Sequence, residues 1–229
     1  LCAIGGARCL TERLPANVPR QPLSGALRQY GRLLKDREFL GHALTGGIAM
    51  AGMFAYIAGS PFVFIKLYGV PAEHYGWLFG TNAAGFILVA QLNARLLAKR
   101  GPAFLLSRMV WVYLAAGLVL LGVSSLHTEQ LWPLLVPLFI CIASLGCIIP
   151  NASACAMSGQ GARAGSASAM LGCLQFSVAA GAASLVGVLH DGSAMPMAMV
   201  ITLCGLLAVG LAMATRRLYT ARIAAEQSA

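Results

Sequence analysis

Amide and hydroxyl side chains recur at helical spacing within long apolar stretches of the sequence. Three pairs are seven or eleven positions apart, which at 3.6 residues per turn places each pair on one helix face: Asn82 with Asn93, Ser144 with Asn151, and Ser168 with Gln175. In a membrane such groups either hold an amphipathic ligand or bond a neighbouring helix, the latter being worth about 0.6–2 kcal/mol. Helix contact is the commoner role of a single amide, but three pairs together favour a ligand pathway.

A tyrosine, a serine and a proline lie close together in another apolar stretch. Pro61 lacks an N–H and its ring clashes with the preceding turn, so a helix carrying Tyr56 and Ser60 is predicted to kink there. Pro150 predicts a similar kink further along the chain. A kink of this kind serves either packing or gating, and the sequence leaves both open. Gly76 and Gly80, four residues apart, predict a close contact between helices.

The residue types needed for catalysis are not arranged for it. Serine, histidine and acidic residues form no hydrolytic set, and no phosphate-binding loop or Cys/His metal motif is present. The sequence therefore predicts no enzyme, no cofactor and no metal site. Proton relays need a charged group within the membrane, and none lies near the middle of an apolar stretch. His42 and His190 lie near the ends of two stretches and are interpreted as interfacial.

Six apolar stretches carry these residues. A hydrocarbon core about 30 Å thick is spanned by about 20 helical residues, and the stretches have this length: 41–66, 75–97, 103–124, 131–156, 165–189 and 195–215. Hydrophobic residues make up 59% of the 229 residues and charged residues only 10%. We therefore predict an all-α, multi-pass membrane protein with six transmembrane helices.

The basic residues lie almost entirely on one side of these stretches. Of the 16 lysines and arginines only Lys66 falls on the other side, and the rest are Arg8, Arg13, Arg20, Arg28, Arg32, Lys35, Arg37, Arg95, Lys99, Arg100, Arg108, Arg163, Arg216, Arg217 and Arg222. Basic residues flank membrane helices on the cytoplasmic side, so both termini are predicted to be cytoplasmic. This distribution explains the net charge of +9 by topology and contact with membrane lipids, and argues against nucleic-acid binding.

The chain divides into three parts. Residues 1–38 are predicted to form a cytoplasmic loop or linker, with an interfacial helix over 23–37, followed by the six-helix bundle 39–215 and a cytoplasmic tail 216–229. The helices 103–124 and 195–215 carry almost no amide or hydroxyl groups. Polar side chains avoid lipid, so these two helices are predicted to lie outside and the other four to surround a pathway.

The residues resemble the C-terminal half of a major facilitator superfamily transporter, of the bicyclomycin/chloramphenicol-resistance type of drug:proton antiporter. The resemblance covers nearly the whole chain and is carried by LTERLP (10–15), AYIAGSPF (55–62), LYGVPAEHYGWLFGTNAAGF (67–86), QLNARLL (91–97) and AGSASAMLGCLQ (164–175). It implies that 16–38 is the central loop and that the six helices are the seventh to twelfth, the ninth and twelfth being outermost. It also implies a bacterial inner membrane and a missing N-terminal half that couples transport to protons.

The resemblance also implies roles for individual residues. The loop 93–101 occupies the place of a cytoplasmic signature of the superfamily but lacks its acidic position. We interpret Pro61, Pro150, Arg95, Arg100 and Gly101 as gating or hinge residues. The predicted function is transport of an amphipathic, drug-like small molecule by alternating access. The residues predicted to contact this molecule are Phe54, Tyr56, Ser60, Asn82, Phe86 and Gln175.

Two other interpretations remain open. The chain is alternatively a non-transporting six-helix scaffold or assembly partner, or an inactive truncated product. Six further hydrophobic segments encoded in frame before Leu1 would favour the transporter. The sequence does not identify the substrate, direction, stoichiometry or oligomeric state.

Overall fold

Seven α-helices make up most of the described chain. The computed structural model describes the backbone of residues 23–126 and 130–227, and the side chains of 28–126, 130–161 and 163–216. The LTERLP segment, Arg8, Arg13 and Arg20 lie outside the described residues. The helices are α1 Leu23–Leu33, α2 Arg37–Pro61, α3 Ala72–Leu97, α4 Pro102–Ser125, α5 Trp132–Met157, α6 Ala164–Val188 and α7 Met195–Gln227. Within the described residues there is no β-strand, which agrees with the all-α prediction.

Helices α2 to α7 correspond to the six predicted spans. Among the described residues, five helices are long and apolar enough to cross a membrane: α2 with its extension, α4, α5, α6 and the Met195–Arg216 part of α7. Helix α3 has 26 residues, the same length as α5. It falls below the others in hydropathy because it carries Asn82, Gln91 and Asn93 within its length.

Four helices, α2, α4, α5 and α7, pack around one another and form what we term the four-helix core. Helices α4 and α7 approach closely because glycines face the partner backbone. A Cβ at Gly205 would lie 3.2 Å from the Leu114 Cα, and a Cβ at Gly117 would lie 3.3 Å from the Thr202 Cα. The Thr202 hydroxyl is 2.7 Å from the Gly117 carbonyl oxygen and donates across this contact.

Helices α3 and α6 flank the four-helix core, α3 chiefly against α5 and α6 chiefly against α2. In the most apolar stretch of α6 only 22% of residues are buried, against 44% in α4 and 50% in α7. The described bundle thus differs from the prediction that 103–124 and 195–215 lie outermost. Few polar groups in a helix indicate the absence of water, and a packed interior is as dry as lipid. Gly76 and Gly80 of α3 have no neighbour within 4 Å of a built Cβ, so their predicted contact is not made in this bundle.

Helix α1 packs on one end of the bundle. It ends earlier than the predicted 23–37 helix because α2 begins at Arg37, where the Asp36 carboxylate accepts from the Glu38 and Phe39 N–H groups at 3.2 and 3.1 Å. Gln160, at the far end of α5, donates to the same carboxylate at 3.0 Å. Leu33 is fully buried in a small apolar cluster with residues of α2, α5 and α6. These contacts attach the predicted linker to the bundle.

The prolines affect their helices differently. The α-helical part of α2 ends at Pro61 and the chain continues as a π-helix over Phe62–Leu67, an irregularity that accommodates the missing N–H. Pro150 lies within the uninterrupted helix α5, as does Pro137, for which no role is predicted.

In the exposed turn before α7, the Asp191 carboxylate accepts from the Ser193 hydroxyl and N–H at 2.7 and 2.9 Å, and these bonds lower its pKa.

Candidate substrate site

Polar and aromatic side chains gather between α2 and α3. The Ser60 and Tyr75 hydroxyls are 2.9 Å apart and share a hydrogen bond. The Tyr56 ring stacks on Phe79 with centroids 5.7 Å apart, and Phe79 also contacts Tyr75 at 6.1 Å. With Asn82, whose side chain neighbours Tyr56, these residues form what we term the tyrosine cluster. It contains uncharged side chains only, so it suits an uncharged aromatic or polar group.

Two polar atoms of the tyrosine cluster lack hydrogen-bond partners. Tyr56 is 2% exposed and Asn82 is 3% exposed. The Tyr56 hydroxyl lies beside the Ser60 and Asn82 side chains, yet neither this hydroxyl nor the Asn82 Oδ1 makes a well-formed hydrogen bond. The Asn82 amide instead donates to the Leu78 carbonyl of its own helix at 3.0 Å. A buried polar atom without a partner costs about 1–3 kcal/mol, so such atoms call for a ligand or a water molecule. Among the described residues, His42, Tyr113, Asn151 and Gln160 also carry such atoms.

Phe54 and Gln175 lie where α2 meets α6. The Phe54 ring is partly exposed and meets Phe176 edge-on at 6.2 Å. Gln175 is buried and donates to the Ser153 hydroxyl at 3.2 Å. Its backbone runs so close to α2 that a Cβ at Gly47 would lie 3.3 Å from the Gln175 Cα. This pair therefore forms a second group, separate from the tyrosine cluster.

The amides near the other end of α3 and α5 bond each other. The Asn151 Nδ2 donates to the Asn93 Oδ1 at 2.7 Å, and the Cys147 thiol donates to the same oxygen at 3.1 Å. The Ser144 hydroxyl donates to the Cys141 carbonyl of its own helix at 2.6 Å. Asn93 and Asn151 thus have the helix-contact role that the sequence left open, whereas Ser144 bonds only within its own helix.

Phe86 lies one helical turn beyond Asn82 on α3 and Pro61 directly follows Ser60, whereas Arg95, Arg100 and Gly101 lie away from the tyrosine cluster. Phe86 is partly buried, and its carbonyl oxygen lies against Gly146, where a side chain would overlap it. Arg95 is exposed in the last turn of α3. Arg100 precedes α4, Gly101 is the N-cap of that helix, and the Arg100 guanidinium lies 4.6 Å from the centre of the Phe104 ring.

Tyr75 and Phe79 are the members of the tyrosine cluster that the sequence interpretation missed. Both lie on the face of α3 that carries Asn82, since positions 75, 79 and 82 are separated by one and two helical turns. This spacing could have identified Tyr75 and Phe79 from the sequence. The sequence could not have identified Ser60 as the partner of Tyr75, because only the packing of α3 against the end of α2 brings the two residues together. Within the described residues, no three His, Cys, Asp or Glu side chains gather as a metal site.

The chain is similar to several transporters. It is 34% identical over 192 residues to an MFS-type transporter, YdgK of Bacillus subtilis, covering 84% of this chain and 46% of the relative. It is 28% identical over 182 residues to a bicyclomycin resistance protein homolog of Haemophilus influenzae, covering 80% and 46%. The multidrug transporter MdfA of Edwardsiella piscicida is 30% identical over 138 residues, covering 58% and 32%.

Each match covers a larger share of this chain than of the relative. No family model matches the chain. The chain spans about half the length of the curated relatives it matches, 46% for the first two. The six helices α2 to α7 fit the number expected for half of a twelve-helix transporter, as the sequence resemblance implied. The chain is a homologue of the major facilitator superfamily transporters and fits their C-terminal half.

Proposed function

We propose that this chain forms one bundle of a drug exporter that moves small amphipathic molecules across the bacterial inner membrane by alternating access. A second six-helix bundle completes the exporter and carries the groups that couple transport to protons. The substrate is carried without covalent change, so the protein is a transporter and not an enzyme. Two of the relatives carry drug resistance or multidrug transport in their names, which supports this substrate class.

The observation that carries the proposal is the pair of unsatisfied polar atoms in the tyrosine cluster. The Tyr56 hydroxyl and the Asn82 Oδ1 are buried beside the Phe79 ring. An aromatic wall with a few polar atoms is the usual composition of a drug-sized binding site. Binding of a substrate group to these atoms would recover the free energy lost by leaving them unpaired.

The exposed face of α6 supports a second bundle as the partner of this one. It carries mainly small residues, which permit close approach of another helix in a membrane: Gly165, Ser168, Ala169, Cys173, Ser177, Ala180, Gly181 and Ser184. Covering this face would bury α6 and leave α4 and α7 as the lipid-facing helices, in agreement with their low polarity.

The proposed orientation has the basic end of the bundle in the cytoplasm. Arg37, Arg95, Arg100 and Arg163 lie at the ends of helices or in the turns that connect them, and Arg216 ends the apolar part of α7. All five belong to the side predicted from the sequence to be cytoplasmic. The proton-coupling groups are assigned to the other bundle because the apolar middle of each described span lacks a charged residue.

The proposal is tested with the complete exporter in a bacterial strain that lacks its own drug exporters. Accumulation of bicyclomycin, chloramphenicol and a panel of amphipathic drugs is measured with and without an uncoupler. We expect lower accumulation on expression and its reversal by the uncoupler. Tyr56→Phe is expected to lower efflux about fivefold, the loss of one net hydrogen bond of about 1 kcal/mol.

Tyr113→Phe is the matched control. Tyr113 is also fully buried with an unpaired hydroxyl, but it lies on α4 within the four-helix core, beside Cys141 and Cys204. Efflux by the Tyr113→Phe variant is expected to equal that of the unmodified protein. Equal efflux by the Tyr56→Phe variant would exclude the tyrosine cluster as the substrate site, and no efflux of any drug in the panel would overturn the exporter proposal itself.

A further inference from the structure

A pocket of about 530 Å³ lies between the ends of α2, α4, α5 and α7, on the basic end of the bundle. Its walls include Ala103, Phe104 and Leu106 of α4, and Ala212 and Thr215 of α7. It is remote from the tyrosine cluster, since it opens beside the first turn of α4 while Tyr56 lies near the other end of α2. We propose that this pocket binds an anionic phospholipid of the inner leaflet.

Positive charge at the start of α4 indicates an anionic ligand. The Arg100 and Arg108 guanidinium carbons lie 4.6 and 5.6 Å from the centre of the same Phe104 ring, and Phe104 forms part of the pocket wall. The N-cap of α4 is Gly101, which supplies no side-chain cap, and the first turn of the helix carries no acidic residue. The partial positive charge of a helix N-terminus adds to that of the arginines. A phosphate group bound beside Phe104 would be attracted by all three.

Two further charged residues line the pocket. Glu38 of α2 and Arg216 of α7 both form part of its wall, and each is engaged in an interaction with another group. Their formal charges are opposite and cancel, so the excess positive charge near the pocket is that of Arg100 and Arg108. The His42 imidazole also lines the pocket, and its Nδ1 is buried without a hydrogen-bond partner. A lipid headgroup hydroxyl is a suitable donor or acceptor for this nitrogen.

The apolar walls favour a lipid over a free phosphate ion. Most of the pocket surface is apolar and comes from Pro102, Ala103, Phe104, Leu106, Ala154 and Ala212, with Ser107, Ser158 and Thr215 adding hydroxyl groups. Exposed apolar side chains continue from there along the lipid-facing surfaces of α4 and α7, including Trp111, Leu118, Leu206 and Met213. A free ion gains nothing from such walls, whereas acyl chains bury apolar surface along them. Basic pockets between membrane helices are typical sites for anionic lipid headgroups.

The experiment measures lipid binding to the purified full chain in detergent by native mass spectrometry. The added ligands are phosphatidylglycerol, phosphatidylcholine with the same acyl chains, and inorganic phosphate. We expect phosphatidylglycerol to bind at least tenfold more tightly than phosphatidylcholine. Arg100→Gln combined with Arg108→Gln is expected to weaken phosphatidylglycerol binding about twenty-five-fold, at about fivefold for each arginine.

Two further variants separate the pocket from general attraction to basic residues. Arg163→Gln removes a charge from the turn before α6, outside the pocket, and is expected to leave the affinity unchanged. Ala212→Trp fills the pocket without altering charge and is expected to weaken binding at least tenfold. Circular dichroism confirms that each variant retains its helix content.

Three results would overturn the inference. Equal affinity for the two lipids would show that the headgroup charge is not recognised. Equal losses in the Arg163→Gln and the double arginine variants would show unspecific attraction. Inorganic phosphate that displaces phosphatidylglycerol at equal concentration would show an ion site without a lipid. None of these results bears on drug efflux, so the two proposals fail separately.

Discussion

The α4–α7 contact and the exposed face of α6 contain the same kind of small residue but differ in what lies against it. At Gly117 and Gly205 the partner backbone is within 3.3 Å of a built Cβ, whereas at Gly181 nothing lies within 4 Å. The surfaces that remain exposed differ as well. Helix α4 exposes large side chains such as Trp111 and Leu118, at 50% and 54%. Helix α6 exposes mainly glycine, alanine and serine, with Phe176, Leu185 and Val188 as its large exposed residues. Large apolar side chains suit lipid, and small ones suit another helix.

Two tyrosines, Tyr56 and Tyr113, differ in a similar way in the surroundings of a buried polar atom. Tyr56 and Tyr113 are both buried with unpaired hydroxyls. Tyr113 lies within the four-helix core, against Gly52, where a side chain would overlap its hydroxyl. Tyr56 lies against Ser60, Asn82 and an aromatic ring. Burial and an unpaired atom are thus shared, and only the neighbours distinguish a packing residue from a candidate ligand group.

The largest effect is expected from Gly181→Leu in the complete exporter. If the α6 face closes against a second bundle, a leucine there holds the bundles apart, and efflux should fall at least tenfold while the folded protein remains as abundant. Gly210→Leu on α7 is the control, since Gly210 also has no neighbour within 4 Å but lies on a helix with an apolar, lipid-facing surface. Drug accumulation measures both. An equal loss of efflux in both variants would remove the distinction between the two surfaces.

A stability effect is expected at the α4–α7 contact. Gly205→Leu places a side chain against the Leu114 backbone. Its Cβ alone would lie 3.2 Å from the Leu114 Cα, so the rest of the leucine side chain forces the helices apart. Overpacking of this kind costs about 1–3 kcal/mol. Gly181→Leu should change the free energy of unfolding by less than about 0.5 kcal/mol. Denaturation of the purified chain in mixed micelles compares them, and a larger loss at Gly181 would reverse the assignment of closed and open surfaces.

The smallest effect is expected from hydroxyl removal. Thr202→Val keeps the shape of the side chain but removes the hydroxyl, whose single hydrogen is shared between the Gly117 carbonyl of α4 and the Ala198 carbonyl of its own helix, both at 2.7 Å. The expected cost is about 0.6 kcal/mol, the average for bonds between helices in a membrane. Ser168→Ala on α6 removes a bond within one helix, to the Gly165 carbonyl at 3.0 Å, and should cost less. The same denaturation experiment measures both. An equal cost would indicate that the bond between helices contributes nothing extra.

The helices themselves follow from local properties of the chain. Apolar length and flanking charge predict α2 and α4 to α6 with bounds within about five residues. They also predict the start of α7, which continues as a helix to Gln227 beyond the predicted end at 215. The polar spacing of Asn82 and Asn93 identifies the inward face of α3, where both are buried. The predicted substrate residues divide into the tyrosine cluster, the Phe54–Gln175 group and Phe86. Their distribution depends on helix neighbours that are distant in sequence, and these are not encoded in any local pattern.

The sequence by itself determined the all-α class, the six spans and the one-sided charge, because each depends on the free energy of transfer of single side chains between water and lipid. The tertiary structure alone decided which amides pair, as Asn93 does with Asn151, and which remain unsatisfied, as Asn82 does at its Oδ1. It also decided that Gly117 meets a backbone and Gly181 does not. These outcomes depend on the relative positions of whole helices, which the sum of many weak contacts determines.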